Sequence, residues 1–273
     1  MAEHKINFTS FQYYPEQLCT RYDLQKAIEP LTIYADDGRL YMANTVRGNP
    51  SPLPPEVLQE VRVWIERPHS KMIWLEGDWL PEYGSTLSLA AMQLCDSSLN
   101  ARLPCVSFWG KPIYTFPLGT KKATSNPEAA TVALLYSVIS QLACLAPMYL
   151  PAVPELSQQQ FDLLDGSIAS ASTALDIIEA LLALGPRAIV WIIDGLQLAE
   201  SQSTILALRG FVDILKKQED VRLSKTCFTT DGNSNVLMRA IGVCNRIDAS
   251  RTPRWTRLSG GEDVFAAFDR WCA

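Results

Sequence analysis

An apolar run, a loop and a helix follow directly one after another in residues 71–102. The run at 71–76 (KMIWLE) has the composition of a strand, it breaks at Gly77, and a helix opens at 85–88 (STLS). Apolar side chains recur through that helix at the spacing of one helical face: Leu87, Ala90, Ala91 and Leu94. Because Leu89 and Met92 make its other side apolar as well, the helix is predicted to be internal.

Strand and helix patterns alternate through the rest of the chain. Strands are predicted at 103–109, 188–193, 224–229 and 245–249. Helices are predicted at 57–67, 203–217 and 234–241, and shorter ones at 155–164 and 263–271. A further helix begins at Pro127. Another helix ends at residue 184, and Thr173 and Asp176 are predicted to cap its start. The pattern favours an α/β fold with three layers, in which helices cover both faces of a mostly parallel sheet.

The first 55 residues differ from this pattern. A helix is predicted at 15–28, followed by a hairpin or simple turn at 36–39 between segments 31–35 and 40–43. Four prolines, a glycine and an asparagine then interrupt regular structure between residues 48 and 55. We therefore expect an N-terminal helical extension and linker at 1–55 and the main domain at 56–273.

Composition excludes several classes of protein. The chain is 48% hydrophobic and 19% charged, and its net charge of -5 gives nucleic acid no electrostatic attraction. Seven cysteines without C-x-x-C pairing are typical of buried intracellular thiols. The first residues show no signal-peptide pattern, so a secretory signal is not expected. The uncharged stretch 129–154 is interrupted by prolines, so a buried helix is expected there and no membrane span. These features favour a cytoplasmic location.

The loop at the end of the first strand has the layout of a phosphate-binding loop. In the form G-x-x-x-x-G-K-[ST], backbone N–H groups and the helix N-terminus surround phosphates, the lysine supplies positive charge and the hydroxyl holds Mg²⁺. The corresponding candidates are Gly77, Gly84, Ser85 and Thr86. Serine stands where the lysine belongs, and two residues are inserted between the glycines. Ser85 and Thr86 also suit a purely structural role as helix caps.

Two later strands end in polar residues that suit the same chemistry. Asp194 follows the apolar run 188–193, where a Mg²⁺-side aspartate would stand, and Thr229 and Thr230 end the next strand, where a polar group would contact the terminal phosphate. An acid that orients the attacking water is expected just after Asp194. Leu196 and Gln197 occupy that place, and the nearest acid is Glu200. Hydrolysis is therefore less expected than binding.

Together these segments resemble the NACHT-type STAND P-loop NTPases, especially degenerate fungal forms. The residues that carry the resemblance are 64–68 (WIERP) leading into 71–77, then Asp194-Gly195 and 229–232 (TTDG). The resemblance covers residues 56–273 and implies a nucleotide-switched signalling module. The chain departs from the family in the missing lysine, the longer loop and the missing second acid after Asp194.

The sequence leads to two functional hypotheses. The first is a catalytically degenerate NACHT-like module that needs no cofactor and acts through protein–protein contacts in signalling, with Trp79, Pro81 and Tyr83 filling the phosphate space. The second is an unconventional switch that binds Mg-ATP or Mg-GTP, with Thr86 and Asp194 on the metal and a lysine from another loop (Lys111, Lys121 or Lys122). A third hypothesis makes the chain one part of an oligomer.

Other catalytic schemes lack their residues. The two histidines, His4 and His69, do not accompany a nucleophile elbow, so a Ser-His-Asp triad is not expected. No cluster has the spacing of metal ligands, and the G-x-G-x-x-G fingerprint of dinucleotide binding is absent after the first strand.

Overall fold

The computed structural model describes residues 20–34, 53–78, 86–110 and 127–250, and it shows an α/β fold. Five parallel strands form one sheet: β1 (Lys71–Gly77), β2 (Cys105–Trp109), β3 (Ala188–Asp194), β4 (Leu223–Asp231) and β5 (Arg246–Asp248). Eight α-helices accompany them in the described residues: α1 (Arg21–Ile28), α2 (Pro55–Glu66), α3 (Thr86–Asn100), α4 (Pro127–Leu145), α5 (Gln158–Asp162), α6 (Ala171–Leu184), α7 (Ile205–Val221) and α8 (Asn235–Ala240). The three-layer α/β prediction is confirmed at this level.

The strand order is β2-β3-β4-β1-β5. β4 therefore lies between β1 and β3, although it follows both in the chain. The register aligns Gly77 with Asp231 across β1 and β4, and it aligns Asp194 with Thr229 across β3 and β4. Since carboxyl ends of parallel strands share one edge of the sheet, this order brings the ends of β1, β3 and β4 together.

Each face of the sheet is covered by a different set of helices. On one face, α2 and α3 pack their apolar sides on Ile73, Val190 and Cys227. On the other face, α4, α6 and α7 pack on Trp74, Trp191 and Phe228. The strand residues alternate between the two faces, as the twofold repeat of a strand requires. The central strands are apolar on both faces because both faces are covered.

Helix α4 corresponds to the apolar stretch that was considered as a membrane span. The helix is long and apolar enough to cross a membrane, with a mean hydropathy of 1.5 over its most apolar 18 residues. However, 78% of that window is buried inside the fold. Ala133, Leu134 and Tyr136 are completely buried, as in a core helix. The expectation of a buried helix therefore agrees with the packing.

The N-terminal helix packs on the main domain. Thr20 and Asp23 form a capping box at the start of α1, and the amide of Arg21 donates to the carbonyl oxygen of Met148 at 2.9 Å. Leu24 and Ile28 belong to the same buried cluster as α4. The predicted boundary at residue 56 stays a prediction, as does the helix start at 15, which lies outside the described residues.

Two local predictions were wrong. Residues 31–34, expected to be a hairpin strand or an irregular segment, lie in the 3-10 helix Glu29–Tyr34, which continues directly from α1. Thr173 does not cap α6, because the 3-10 turn Ile168–Ser170 leads straight into that helix and moves its start to Ala171. The predicted helix at 263–271, the segment 40–43 and the lysines 111, 121 and 122 lie outside the described residues.

Candidate functional site

Asp194 lies at the carboxyl edge of the sheet and is completely buried. Its Oδ2 accepts a hydrogen bond from the hydroxyl of Ser88 at 2.8 Å. Its Oδ1 accepts another from the hydroxyl of Thr229 at 2.6 Å. We call Ser88, Asp194 and Thr229 the edge cluster. Hydrogen bonds to both oxygens stabilise a carboxylate that is removed from water, because they replace the lost hydration.

The edge cluster joins three elements that are far apart in sequence. Ser88 is in the first turn of α3, Asp194 is the last residue of β3, and Thr229 is near the end of β4. All three side chains are on the face of the sheet that α2 and α3 cover. The cluster therefore ties helix α3 to the sheet edge through polar contacts in an otherwise apolar layer.

Only one of the two predicted threonines reaches Asp194. Thr230 points to the opposite face, as the alternation of side chains along a strand requires. There its hydroxyl accepts a hydrogen bond from Nε1 of Trp74 at 2.8 Å and donates one to the carbonyl oxygen of Gly232 at 2.7 Å. Thr230 therefore supports the turn after β4, whereas Thr229 belongs to the edge cluster.

One of the two hydroxyls that donate to Asp194 comes from Ser88, a residue that the sequence analysis did not select. Thr86 is the first residue of α3, and its side chain lies outside the described residues, as do Gly84 and Ser85. Ser88 is completely buried. The available signal was its position next to Leu87 and one turn before Ala91 and Met92, since a serine inside a buried helix needs a polar partner. The binding roles predicted for Gly77, Gly84, Ser85, Thr86, Asp194, Thr229 and Thr230 stay predictions.

Gly77 lies beside helix α3 at the end of β1. A Cβ atom added there would lie 2.8 Å from Cδ1 of Leu87, so the end of that flexible side chain would have to shift. The carbonyl oxygen of Gly77 also accepts a hydrogen bond from the amide of Gly232 at 2.9 Å. The glycine predicted to open a phosphate loop thus lies against Leu87 of α3 and accepts a backbone hydrogen bond from the turn after β4.

Two further glycines fix the backbone around Asp194. The amide of Gly110, just after β2, donates to the carbonyl oxygen of Asp194 at 2.7 Å, and the amide of Gly195 donates to Thr229 at 2.9 Å. A Cβ on Gly110 would lie 2.5 Å from the carbonyl oxygen of Gly195. Gly195 itself has φ +77°, a conformation that favours glycine. The chain leaving β3 therefore passes directly against the chain leaving β2.

The nearest acid after Asp194 is engaged elsewhere. Oε1 of Glu200 accepts hydrogen bonds from the hydroxyl of Ser234 and from the amide of Val236, and Oε2 accepts one from the amide of Asn235 at 2.9 Å. These amides belong to the first turn of α8, so Glu200 satisfies the free N–H groups of that helix. It is held as a helix cap and is not free to orient a water at Asp194.

Gln197 is nearer to the strand ends than Glu200. Its Nε2 donates weakly to the carbonyl oxygen of Asp231 at 3.4 Å, while its buried Oε1 has no hydrogen-bond partner among the described residues. Leu196, beside it, is completely buried. An amide in this place contributes polarity at the edge without adding charge.

Carboxylates dominate the strand ends at this edge. They are Glu76, Asp78, Asp194, Asp231 and Asp248. Arg246 is the counter-charge of one of them, since its guanidinium pairs with Glu76 while it stacks 4.7 Å from the ring centre of Trp74. Negative charges at this density oppose the approach of a polyphosphate.

The negative charge of Asp194 also affects a neighbouring thiol. Burial, and to a smaller extent Asp194, raise the pKa of the Cys227 thiol well above its ordinary value. Cys227 is completely buried in β4 and stays protonated. Cys95 and Cys227 are buried, as the sequence-based interpretation of the cysteines expects, whereas Cys144 and Cys244 are exposed and contradict it. In the described residues, no group of three or more His, Cys, Asp or Glu side chains could hold a metal ion.

Comparisons with known proteins do not place the chain in a family. No family model matches it, and neither a curated protein nor a solved structure matches it.

Proposed function

We propose that the chain is a degenerate NACHT-like P-loop module that acts through protein–protein contacts in intracellular signalling and has lost nucleotide chemistry. Two features support its descent from such a domain. The strand–glycine–helix unit of β1, Gly77 and α3 is the layout of a phosphate loop. Asp194 and Thr229, at the ends of β3 and β4, lie beside each other as a metal-side aspartate and a polar sensor would.

The observation that carries the proposal is the burial of Asp194 within the edge cluster. A Mg²⁺-side carboxylate works when at least one oxygen faces the metal or a metal-bound water. Here both oxygens accept hydrogen bonds from protein hydroxyls, and the side chain has no exposed surface. The cluster is thus suited to holding α3 against the sheet, which is a structural role.

Two further observations favour loss of turnover. The role of a water-orienting acid is not filled by Glu200, because that carboxylate caps α8. The strand ends carry carboxylates, and the arginine among them, Arg246, is paired with Glu76. A triphosphate would therefore meet repulsion where a functional loop supplies a lysine.

One observation favours the alternative, a nucleotide-dependent switch. Ser88 and Asp194 supply a hydroxyl and a carboxylate at one sheet edge, and these are oxygen donors of the kind that Mg²⁺ accepts. In that function Ser88 would replace Thr86 as the metal-side hydroxyl. The metal would have to displace the hydrogen bond between Ser88 and Asp194 to use them.

A binding titration decides between the two functions. The full chain is titrated with fluorescently labelled ATP, ADP and GTP, each with and without Mg²⁺, up to millimolar concentration. The degenerate module predicts no saturable binding and no Mg²⁺ dependence. Micromolar, Mg²⁺-dependent binding that is lost in Ser88→Ala, together with turnover lost in Asp194→Ala, would establish the switch instead.

A second measurement addresses the contacts themselves. Light scattering across a concentration series reports whether the chain associates with itself. If the mass is that of a monomer at all concentrations, the proposed contacts must be with other proteins. Adding Mg-ATP must leave the mass unchanged if contacts are independent of nucleotide. A nucleotide-dependent change of mass would contradict the proposed function.

A further inference from the structure

Two cysteine thiols meet between helix α3 and strand β2. Sγ of Cys105, the first residue of β2, lies 4.0 Å from Sγ of Cys95 on α3, in the geometry of a thiol–thiol hydrogen bond. Cys95 is almost fully buried, with 1% of its surface exposed, whereas Cys105 is half-buried. Neither of these two cysteines is in a disulfide bond. Cys105 is therefore the partly exposed member of the pair, and Cys95 is the buried one.

We propose that Cys95 and Cys105 are a redox-modification site that forms a reversible intramolecular disulfide in response to a peroxide. The sulfur separation is about twice the disulfide bond length of about 2.05 Å, so the bond requires the sulfurs to move about 2 Å closer. The proposal requires side-chain rotation to bring the sulfurs together from their present contact distance of 4.0 Å. The inference is independent of nucleotide binding and of the function proposed above.

The chemistry has two steps. The sulfur of Cys105 attacks one oxygen of hydrogen peroxide, the O–O bond breaks, and Cys105 becomes a sulfenic acid while the other oxygen leaves as water. The sulfur of Cys95 then attacks the Cys105 sulfur, the S–O bond breaks, and the hydroxyl leaves with the thiol proton as a second water. Two thiols lose two electrons and two protons, and one peroxide is reduced to two waters.

The location gives the disulfide a mechanical consequence. Cys95 and Cys105 are joined by a short connection through Arg102, the non-glycine residue with positive φ, 55°, in the described part of the chain. The bond would clamp α3, which carries Ser88, against β2, whose end leads to Gly110 beside Asp194. We expect the oxidised protein to unfold at a higher temperature than the reduced protein, because the bond restricts the unfolded chain.

Peptide mapping of the full chain tests the site. Reduced protein is treated with one equivalent of hydrogen peroxide, blocked with N-ethylmaleimide and digested with trypsin without reduction. Cleavage after Arg102 separates peptide 72–102, which contains Cys95, from peptide 103–121, which contains Cys105. The expected result is a cross-linked pair of these peptides, lighter by two hydrogens than their sum, that dithiothreitol separates again.

Matched variants establish which thiol reacts first. In Cys95→Ser, we expect Cys105 to stop at the sulfenic acid, where dimedone traps it, whereas Cys105→Ser leaves Cys95 unmodified. The variants Cys144→Ser and Cys244→Ser, which remove exposed thiols, should form the cross-link normally. The proposal is overturned if wild-type protein keeps both thiols while Cys144 or Cys244 is oxidised, or if either thiol pairs with another cysteine. This wild-type readout holds even if a variant fails to fold.

Discussion

The hydroxyl of Ser88 donates a hydrogen bond to Oδ2 of Asp194 at 2.8 Å, although 106 positions separate the two residues. Both side chains are completely buried. This contact joins the helix after the first strand to the end of the third, and the sheet edge is organised around it. Because the acceptor is charged, this hydrogen bond should contribute more to the free energy of unfolding than a hydrogen bond between two neutral groups does.

Ser88→Ala should destabilise the fold by about 1.5 to 3 kcal/mol, because it leaves one oxygen of a buried carboxylate without its hydroxyl donor. Urea denaturation gives the change in the free energy of unfolding. Ser98→Ala is the matched control on the same helix. Ser98 is equally buried, but its hydroxyl donates to the neutral carbonyl oxygen of Leu94 within the helix. If both variants lose the same free energy of unfolding, the hydrogen bond to Asp194 contributes no more to stability than the one within the helix.

Gly110→Ala should destabilise the fold by about 1 to 3 kcal/mol, since the new methyl group would meet the backbone of Gly195 and Asp194. Backbone atoms cannot rotate away as a side-chain end can. Gly242→Ala is the control, because its nearest neighbour is the Cys244 sulfur at 3.9 Å. Thermal unfolding of both variants checks the prediction. An unchanged melting temperature for Gly110→Ala would contradict the close approach of the two chains.

Glu200→Ala should cost about 1 kcal/mol and loosen the start of α8, because three donors of that turn lose their acceptor. Hydrogen exchange should accelerate at the amides of Asn235 and Val236. The comparison is Glu179→Ala, which removes an exposed ion pair with Lys217 and should change stability by less than about 1 kcal/mol. Protection that stays intact in Glu200→Ala would contradict the capping role.

Lys225 should make the free energy of unfolding depend on pH. Its ammonium is completely buried and donates to the carbonyl oxygens of Trp64 and Arg67 at 2.5 and 2.6 Å. Burial, followed by the positive charges of Lys71 and Arg67, lowers the pKa of Lys225 to about 8. Between that value and its ordinary pKa of 10.5, the unfolded chain binds more protons than the folded one.

Stability from this residue should therefore rise as the pH increases from about 8, by roughly 1 kcal/mol per pH unit at most, and it should be lost as the pH falls through 8. The difference between wild type and Lys225→Met in urea midpoints, measured from pH 7 to 10, isolates the effect. Lys217→Met, which changes an exposed lysine, should show no such difference. A difference between wild type and Lys225→Met that stays constant with pH would refute the assignment.

Much of the fold was accessible from local patterns. The helix at 57–67, ended before Pro68, corresponds to α2, and the apolar run at 188–193 corresponds to β3. The polar ends of β3 and β4 were also identified from the sequence. Errors occurred where neighbouring turns overrode local signals, as at Glu29–Tyr34 and at the start of α6.

The details of the edge cluster required the tertiary structure. That Ser88 meets Asp194 depends on the rotation of α3 about its axis, which the pattern of apolar residues along the helix does not fix. Whether Thr229 or Thr230 does so depends on which face of β4 meets α3. A one-residue slip of β4 would exchange Thr229 and Thr230.

The sequence by itself determined the alternation of strands and helices, the burial of α4 and the polar ends of two strands, because these follow from side-chain periodicity within each segment. The insertion of β4 between β1 and β3, the contact of Ser88 with Asp194 and the meeting of Cys95 with Cys105 were decided only by the tertiary structure. Strand order and helix rotation depend on how separate segments share one core, and periodicity within a segment does not contain that information.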